Sequence, residues 1–61
     1  MDIGAKIKAL RLQLNLSQAE LADRCELTKG YISQLENDVT SPSIATLKDI
    51  LAALGTDLAE F

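Results

Sequence analysis

The polar side chains of one short segment recur at the spacing of a helix face. Steps of three and four from residue 29 bring together five small or hydrogen-bonding residues: Lys29, Gly30, Ser33, Gln34 and Asn37. A glutamine carboxamide can pair with adenine N6 and N7, a lysine can donate to guanine O6 and N7, and a serine hydroxyl suits either base. None of the five residues is acidic, so this face has the chemistry to read base edges.

Two helices joined by a tight turn are predicted to present this face, over residues 17–37. Ser17 followed by Glu20 is a capping box that starts one helix, and Thr28 is the expected N-cap of the next. The apolar residues expected to face inward are Leu21, Ala22, Cys25, Leu27, Ile32 and Leu35. This pattern predicts a helix-turn-helix whose second helix, 28–37, enters the DNA major groove.

Apolar stripes on both sides of this segment predict further helices. The first stripe consists of Ile3, Ile7, Leu10 and Leu14. The second stripe consists of Ile44, Leu47, Leu51, Leu54 and Leu58. A first helix is expected to end near Asn15, and a fourth to follow a cap at Ser41 or Ser43 and stop at Gly55. Asp57 could cap a fifth helix, so the predicted fold is an all-α, compact five-helix bundle.

The composition supports helices and excludes several chemistries. Eleven Leu, five Ile and eight Ala against two aromatic residues favour helix packing, and 61 residues allow one domain, 1–61, without an enclosed catalytic cavity. The chain has no His and one Cys, which excludes a zinc site, a disulfide and a His-dependent base. We therefore expect no enzyme activity, no metal and no cofactor, and Cys25 is expected to be a small core residue.

The charge of the chain is unevenly distributed. A formal net charge of −3 disfavours a nonspecific nucleic-acid binder, because phosphate attraction dominates that kind of binding. Residues 1–16 nevertheless hold three basic residues against one acid, a balance of +2, whereas 38–61 hold one Lys against four acids, a balance of −3. The cations expected to meet phosphates are Lys6, Lys8, Arg11 and Lys29.

The hydrophobic pattern also bears on location. The longest apolar run is the five residues Ile50 to Leu54, far below the roughly 20 that cross a bilayer, and the N-terminus lacks a signal-peptide core. With a single Cys, the chain suits the reducing cytoplasm, and no membrane partner is expected.

The whole chain resembles the DNA-binding domain of the lambda-repressor-like, Cro-related regulators of the XRE family. The motifs that carry the resemblance are SQAELA at 17–22, YISQLEN at 31–37 and SPSIATL at 41–47. The form TKGYISQLEN at 28–37, followed by SPSIATL, looks most like the N-terminal domain of XRE-cupin regulators. The resemblance therefore implies either a fragment of a longer regulator with a C-terminal sensor domain or a minimal stand-alone member. The resemblance implies a prokaryotic or phage-type transcriptional regulator, most often a repressor, that binds a palindromic double-stranded DNA operator as a homodimer.

Position by position, the resemblance and the side-chain chemistry assign roles to ten residues. The expected base contacts are Thr28, Lys29, Gly30, Ser33 and Gln34. The expected phosphate contacts are Gln18, Tyr31 and Asn37, the alternative for Gln18 being an ordinary surface glutamine. Arg11 and Glu36 match a pair that forms a partly buried ion pair between helices one and three in relatives, the alternative being two unrelated surface charges.

The chain departs from the family pattern at two places, and one rival function remains. The turn position that relatives fill with Gly, because its backbone is left-handed, is Glu26, and the loop Asp38–Ser43 lacks a basic residue. The rival is a protein-interaction or antitoxin-like module that keeps the fold without binding DNA. Acids or bulky apolar residues on the face of the predicted third helix would favour that rival, and this chain has neither at 29, 30, 33 and 34.

Overall fold

The computed structural model describes residues 3–61, so Met1 and Asp2 of the predicted domain lie outside it. The described residues form four helices: α1 Ile3–Gln13, α2 Gln18–Cys25, α3 Lys29–Glu36 and α4 Ile44–Ala53. No strand occurs within this range, so the predicted all-α class is confirmed. None of the helices in residues 3–61 is long and apolar enough to span a bilayer.

Side-chain caps start three of the helices where the sequence predicts. At α2 the Glu20 backbone N–H donates to Ser17 Oγ at 3.0 Å, while the Ser17 N–H donates to Glu20 Oε1 at 2.8 Å. Thr28 Oγ1 accepts from the Tyr31 N–H at 3.1 Å, and Ser43, rather than Ser41, caps α4. Each cap satisfies a backbone donor that the helix start would otherwise leave unpaired.

All four helices end in the same way, with one left-handed residue. These residues are Asn15 (φ 58), Glu26 (φ 59), Asp38 (φ 58) and Gly55 (φ 76). After each of them, the next N–H donates to the carbonyl five residues earlier, as in Leu27 N to Ala22 O at 2.8 Å. The left-handed backbone predicted at Glu26 is confirmed. Gly adopts this conformation without a steric cost, and Asn and Asp tolerate it better than most residues, so Glu26 carries the greatest strain of the four.

The predicted fifth helix is wrong. Asp57 Oδ1 does accept from the Glu60 N–H at 3.0 Å, and the Phe61 N–H donates to Asp57 O at 3.0 Å. These bonds close a single turn that is not a helix. A single turn fixes several backbone dihedrals for very few hydrogen bonds, so the bonds within residues 57–61 do not amount to a helix.

The core lies between the helices and is almost entirely aliphatic. Its fully buried side chains are Ile7, Leu21, Ile32, Leu35, Ile50 and Leu51. Three residues of the predicted stripes are instead exposed, namely Leu14 (47%), Ile44 (65%) and Leu58 (41%). Leu14 and Leu58 lie beyond the last residues of α1 and α4, where the helical period no longer applies, and Ile44 is the first residue of α4.

Gly4 is buried at the contact between the start of α1 and the end of α3. A Cβ atom at this position would lie 2.9 Å from the Glu36 carbonyl oxygen and even closer to that of Leu35. Both neighbours are backbone atoms that cannot rotate away, so only Gly permits this approach. The sequence did not single out Gly4.

Candidate nucleic-acid interface

Helix α3 presents one face to solvent and buries the other. Ile32 and Leu35 are almost fully buried, whereas Lys29, Gly30 and Gln34 are exposed. The first turn of α3 carries no acidic side chain. A Cβ at Gly30 would meet nothing within 4 Å, so packing within this chain does not require Gly there.

The remaining polar residues of this face are partly engaged within the chain. Thr28 is exposed, and its hydroxyl accepts the Tyr31 N–H as the helix cap. At the other end, Asn37 Nδ2 donates to the Ser33 carbonyl oxygen at 3.0 Å and lies 3.5 Å from Ser33 Oγ. Ser33 is half-buried and Asn37 is exposed, so the helix end holds the Asn37 amide in place.

Tyr31 lies at the edge of the α3 face. Its side chain is half-buried and packs against the hydrophobic core. An aromatic ring of this kind buries its apolar body and leaves its polar tip toward water, which suits a contact at the rim of an interface.

Arg11 and Glu36 form a buried ion pair between α1 and α3, rather than two unrelated surface charges. Arg11 Nε lies 2.7 Å from Glu36 Oε2, and Arg11 Nη2 donates to Glu36 Oε1 at 3.0 Å. Arg11 Nη1 donates to the Leu16 carbonyl oxygen at 2.7 Å. Both side chains are less than a tenth exposed, at 8% and 2%. This bidentate geometry fixes both groups in direction as well as distance.

Gln18, the first residue of α2, joins this pair. Its Nε2 donates to Glu36 Oε1 at 3.1 Å. The Glu36 carboxylate of α3 therefore accepts hydrogen bonds from Arg11 of α1 and from Gln18 of α2. The sequence predicts that Gln18 is either a phosphate ligand or an ordinary surface glutamine, and it does not predict this contact with Glu36. The four-and-three spacing that finds helix faces carries no signal for a bond between helices.

The pair stays charged on both sides. Burial raises the pKa of Glu36, but hydrogen bonds from Arg11 and Gln18 and the charges of Arg11 and Lys8 outweigh it, so the pKa is lowered. The hydrogen bond to Glu36 raises the pKa of Arg11 against the opposing effect of burial.

The basic residues expected at phosphates do not all lie free. Arg11 is buried and donates hydrogen bonds to the Glu36 carboxylate and the Leu16 carbonyl oxygen, so the expectation that it meets a phosphate is wrong. Lys6 Nζ donates to the Phe61 main-chain oxygen at 2.7 Å and lies 5.3 Å from the centroid of the Phe61 ring. Lys8, whose charge helps to lower the pKa of Glu36, and Lys29 are both exposed.

Cys25 lies at the core edge. It is half-buried and packs against the hydrophobic core, and burial, followed by the charge of Asp49, raises the pKa of its thiol. A raised pKa disfavours the reactive thiolate, in keeping with a structural role.

A helix-turn-helix family profile matches residues 7–61, most of the chain. The chain belongs to the helix-turn-helix family. The resemblance to lambda-repressor-like, XRE-type regulators is thereby confirmed, since the relatives and solved structures below are regulators of this type.

Two curated relatives and one solved structure illustrate the similarity. The immunity repressor protein of Bacillus phage phi105 is 36% identical over 59 residues, covering 97% of this chain and 41% of the relative. The HTH-type transcriptional regulator PuuR of Escherichia coli K12 is 40% identical over 58 residues, covering 95% and 31%. The chain thus spans less than half of these relatives.

The solved structure is that of SinR of Bacillus subtilis, the master regulator for biofilm formation, in complex with DNA. It superposes with a TM-score of 0.86 at 34% identity, covering 93% of this chain and 92% of that chain. The four-helix arrangement described above is therefore also the fold of a helix-turn-helix domain that binds DNA.

Proposed function

We propose that this chain is the DNA-binding domain of a transcriptional regulator, and that α3 reads base edges in the major groove. The observation that carries the proposal is the exposed, acid-free face of α3, which packing within the chain does not explain. Gly30 is the clearest case, because a Gly inside a helix costs roughly 0.5–1 kcal/mol against Ala, yet its neighbourhood is open. Close approach to a groove floor would account for that cost.

The roles rest on the family resemblance and on side-chain chemistry. The residues proposed for base contacts are Thr28, Lys29, Gly30, Ser33 and Gln34. The residues proposed for phosphate contacts are Gln18, Tyr31 and Asn37. Gln34 carries most of the specificity in this proposal, since its exposed carboxamide can pair bidentately with adenine.

Selection of bound DNA from a random duplex pool tests the proposal. The wild-type chain should enrich a motif, and Gln34→Ala should weaken binding to that motif by about 1–3 kcal/mol in a fluorescence-anisotropy titration. Gln13→Ala, at an exposed glutamine of α1, is the matched control and should bind as wild type. A pool without an enriched motif, or equal losses from both variants, would reject the proposal.

We further propose that the domain binds a palindromic operator as a homodimer, in the cytoplasm, as a repressor within a longer parent chain that carries a sensor domain. The lengths of the phage repressor and of PuuR, which extend well beyond the matched segment, support a longer parent. Two α3 helices in successive major grooves require half-sites about 34 Å apart. A footprint of two protected patches with that separation, and a dimeric mass on DNA in analytical ultracentrifugation, are the expected results.

A further inference from the structure

We infer that Glu36 is a positioning residue for DNA binding, which holds the Gln18 carboxamide in the orientation that donates to a phosphate. This inference rests on the proposed function and deepens it, because it adds a residue with no DNA contact of its own. Glu36 is the last residue of α3, and Gln18 is the first residue of α2.

The chemistry of the contact fixes which way the Gln18 amide points. An ionised carboxylate can only accept hydrogen bonds, so the atom that faces Glu36 Oε1 must be the Gln18 nitrogen, as the 3.1 Å contact has it. That nitrogen carries two hydrogens, and the bond to Glu36 uses one of them. The second N–H is the donor that remains for a phosphate oxygen.

Glu36 can act in this way because it is itself held. Its side chain is 2% exposed and accepts two bonds from Arg11, at 2.7 and 3.0 Å. Arg11 is anchored in turn by the Leu16 carbonyl oxygen at 2.7 Å, in the connection that leads into α2. A glutamine side chain otherwise rotates about three bonds, and freezing it on binding would weaken affinity by up to roughly tenfold.

The contact also ties two parts of the interface together. The proposed base-reading residues belong to α3, and the proposed phosphate ligand Gln18 belongs to α2. The buried Glu36 carboxylate links these two helices through its hydrogen bond with Gln18. The separation of the phosphate ligand from α3 is then set before DNA arrives, which lowers the cost of ordering on binding.

The test compares phosphate-ethylation interference on the selected DNA for wild type and three variants. Gln18→Ala should lose interference at one phosphate per half-site and bind roughly tenfold more weakly. The double variant Arg11→Met with Glu36→Met removes the acceptor for Gln18 without leaving a buried unpaired charge, so it should fold. It should lose interference at the same phosphate and bind as weakly as Gln18→Ala.

The triple variant, which adds Gln18→Ala to the double variant, separates positioning from a general structural role. If Glu36 acts through Gln18, the third substitution should change neither affinity nor the interference pattern. If Glu36 has only a structural role, the double variant should weaken all phosphate contacts. Adding Gln18→Ala should then weaken binding further, by as much as it weakens binding of the wild-type chain. Either that pattern or a double variant with the wild-type pattern would overturn the inference.

A measurement on the wild-type chain covers the case of a double variant that does not fold. ¹⁵N relaxation of side-chain amides in the free protein should show the Gln18 amide to be more restricted than those of Gln13 and Gln34. Equal mobility of the three amides would overturn the inference. The proposed function fails separately, if the wild-type chain enriches no DNA motif.

Discussion

The two ends of α3 are built for different tasks. The first turn follows the Thr28 cap and exposes Lys29 and Gly30 to solvent, and the space around Gly30 is open. At the last turn Glu36 is buried, and its carboxylate accepts three hydrogen bonds. The backbone of Gly4 lies against the carbonyl oxygens of Leu35 and Glu36. One helix is thus anchored by buried contacts at its last turn and exposed to solvent at its first.

The anchored end should show the largest effect on stability. Glu36→Gln removes the charge that compensates the buried Arg11, so we expect a loss of about 3–5 kcal/mol in the free energy of unfolding, measured by urea denaturation. Asp23→Asn, at an exposed acid of α2, is the control and should change it by less than about 0.5 kcal/mol. A loss below about 1 kcal/mol would mean that the pair behaves as an exposed one.

Substitution of Gly4, which packs against the last turn of α3, and of Gly30, in its first turn, should change the free energy of unfolding in opposite directions. Gly4→Ala forces a methyl group against backbone carbonyls and should lower the free energy of unfolding by about 1–3 kcal/mol. Gly30→Ala meets open space and should raise it by about 0.5–1 kcal/mol, while it weakens DNA binding if the groove approaches that residue. Thermal denaturation of both variants decides, and a change of the same sign would break the contrast.

The turn that leads into the presented end should respond to relief of backbone strain. Glu26→Gly replaces a side chain at φ 59 and should raise the free energy of unfolding by about 1 kcal/mol in thermal denaturation. Gly in place of an exposed residue with ordinary helical geometry, such as Ala19→Gly, should lower it by roughly the same amount. Stabilisation absent from Glu26→Gly would indicate that this turn is not left-handed.

The smallest expected effect is the pH dependence that Glu36 adds. Its pKa is lowered in the fold, so the unfolded chain binds the proton more readily, and stability falls as pH drops below the ordinary value of 4.5. The double variant Arg11→Met with Glu36→Met lacks the Glu36 carboxyl group, so its free energy of unfolding should fall less between about pH 5 and pH 3. Urea midpoints across this range measure the difference, and parallel curves would contradict it.

Local chemistry explains which features could be predicted. The caps at Ser17 and Thr28, and the left-handed backbone at Glu26, depend on residues within a few positions and were read correctly. The predicted burial of Leu14 and Leu58 failed because each lies past a helix end, where the chain turns away from the stripe. Periodicity describes a face only as long as its helix lasts.

The candidate site divides along the same line. The polar face of α3 could be predicted from the residues alone, since three-and-four spacing follows from helix geometry. Three features could be learned only from the way the helices pack: Arg11 is buried against Glu36, Gln18 bonds to Glu36, and Gly4 has to lack a side chain. These three features arise where separate helices meet, and contacts between helices depend on packing that no local pattern encodes.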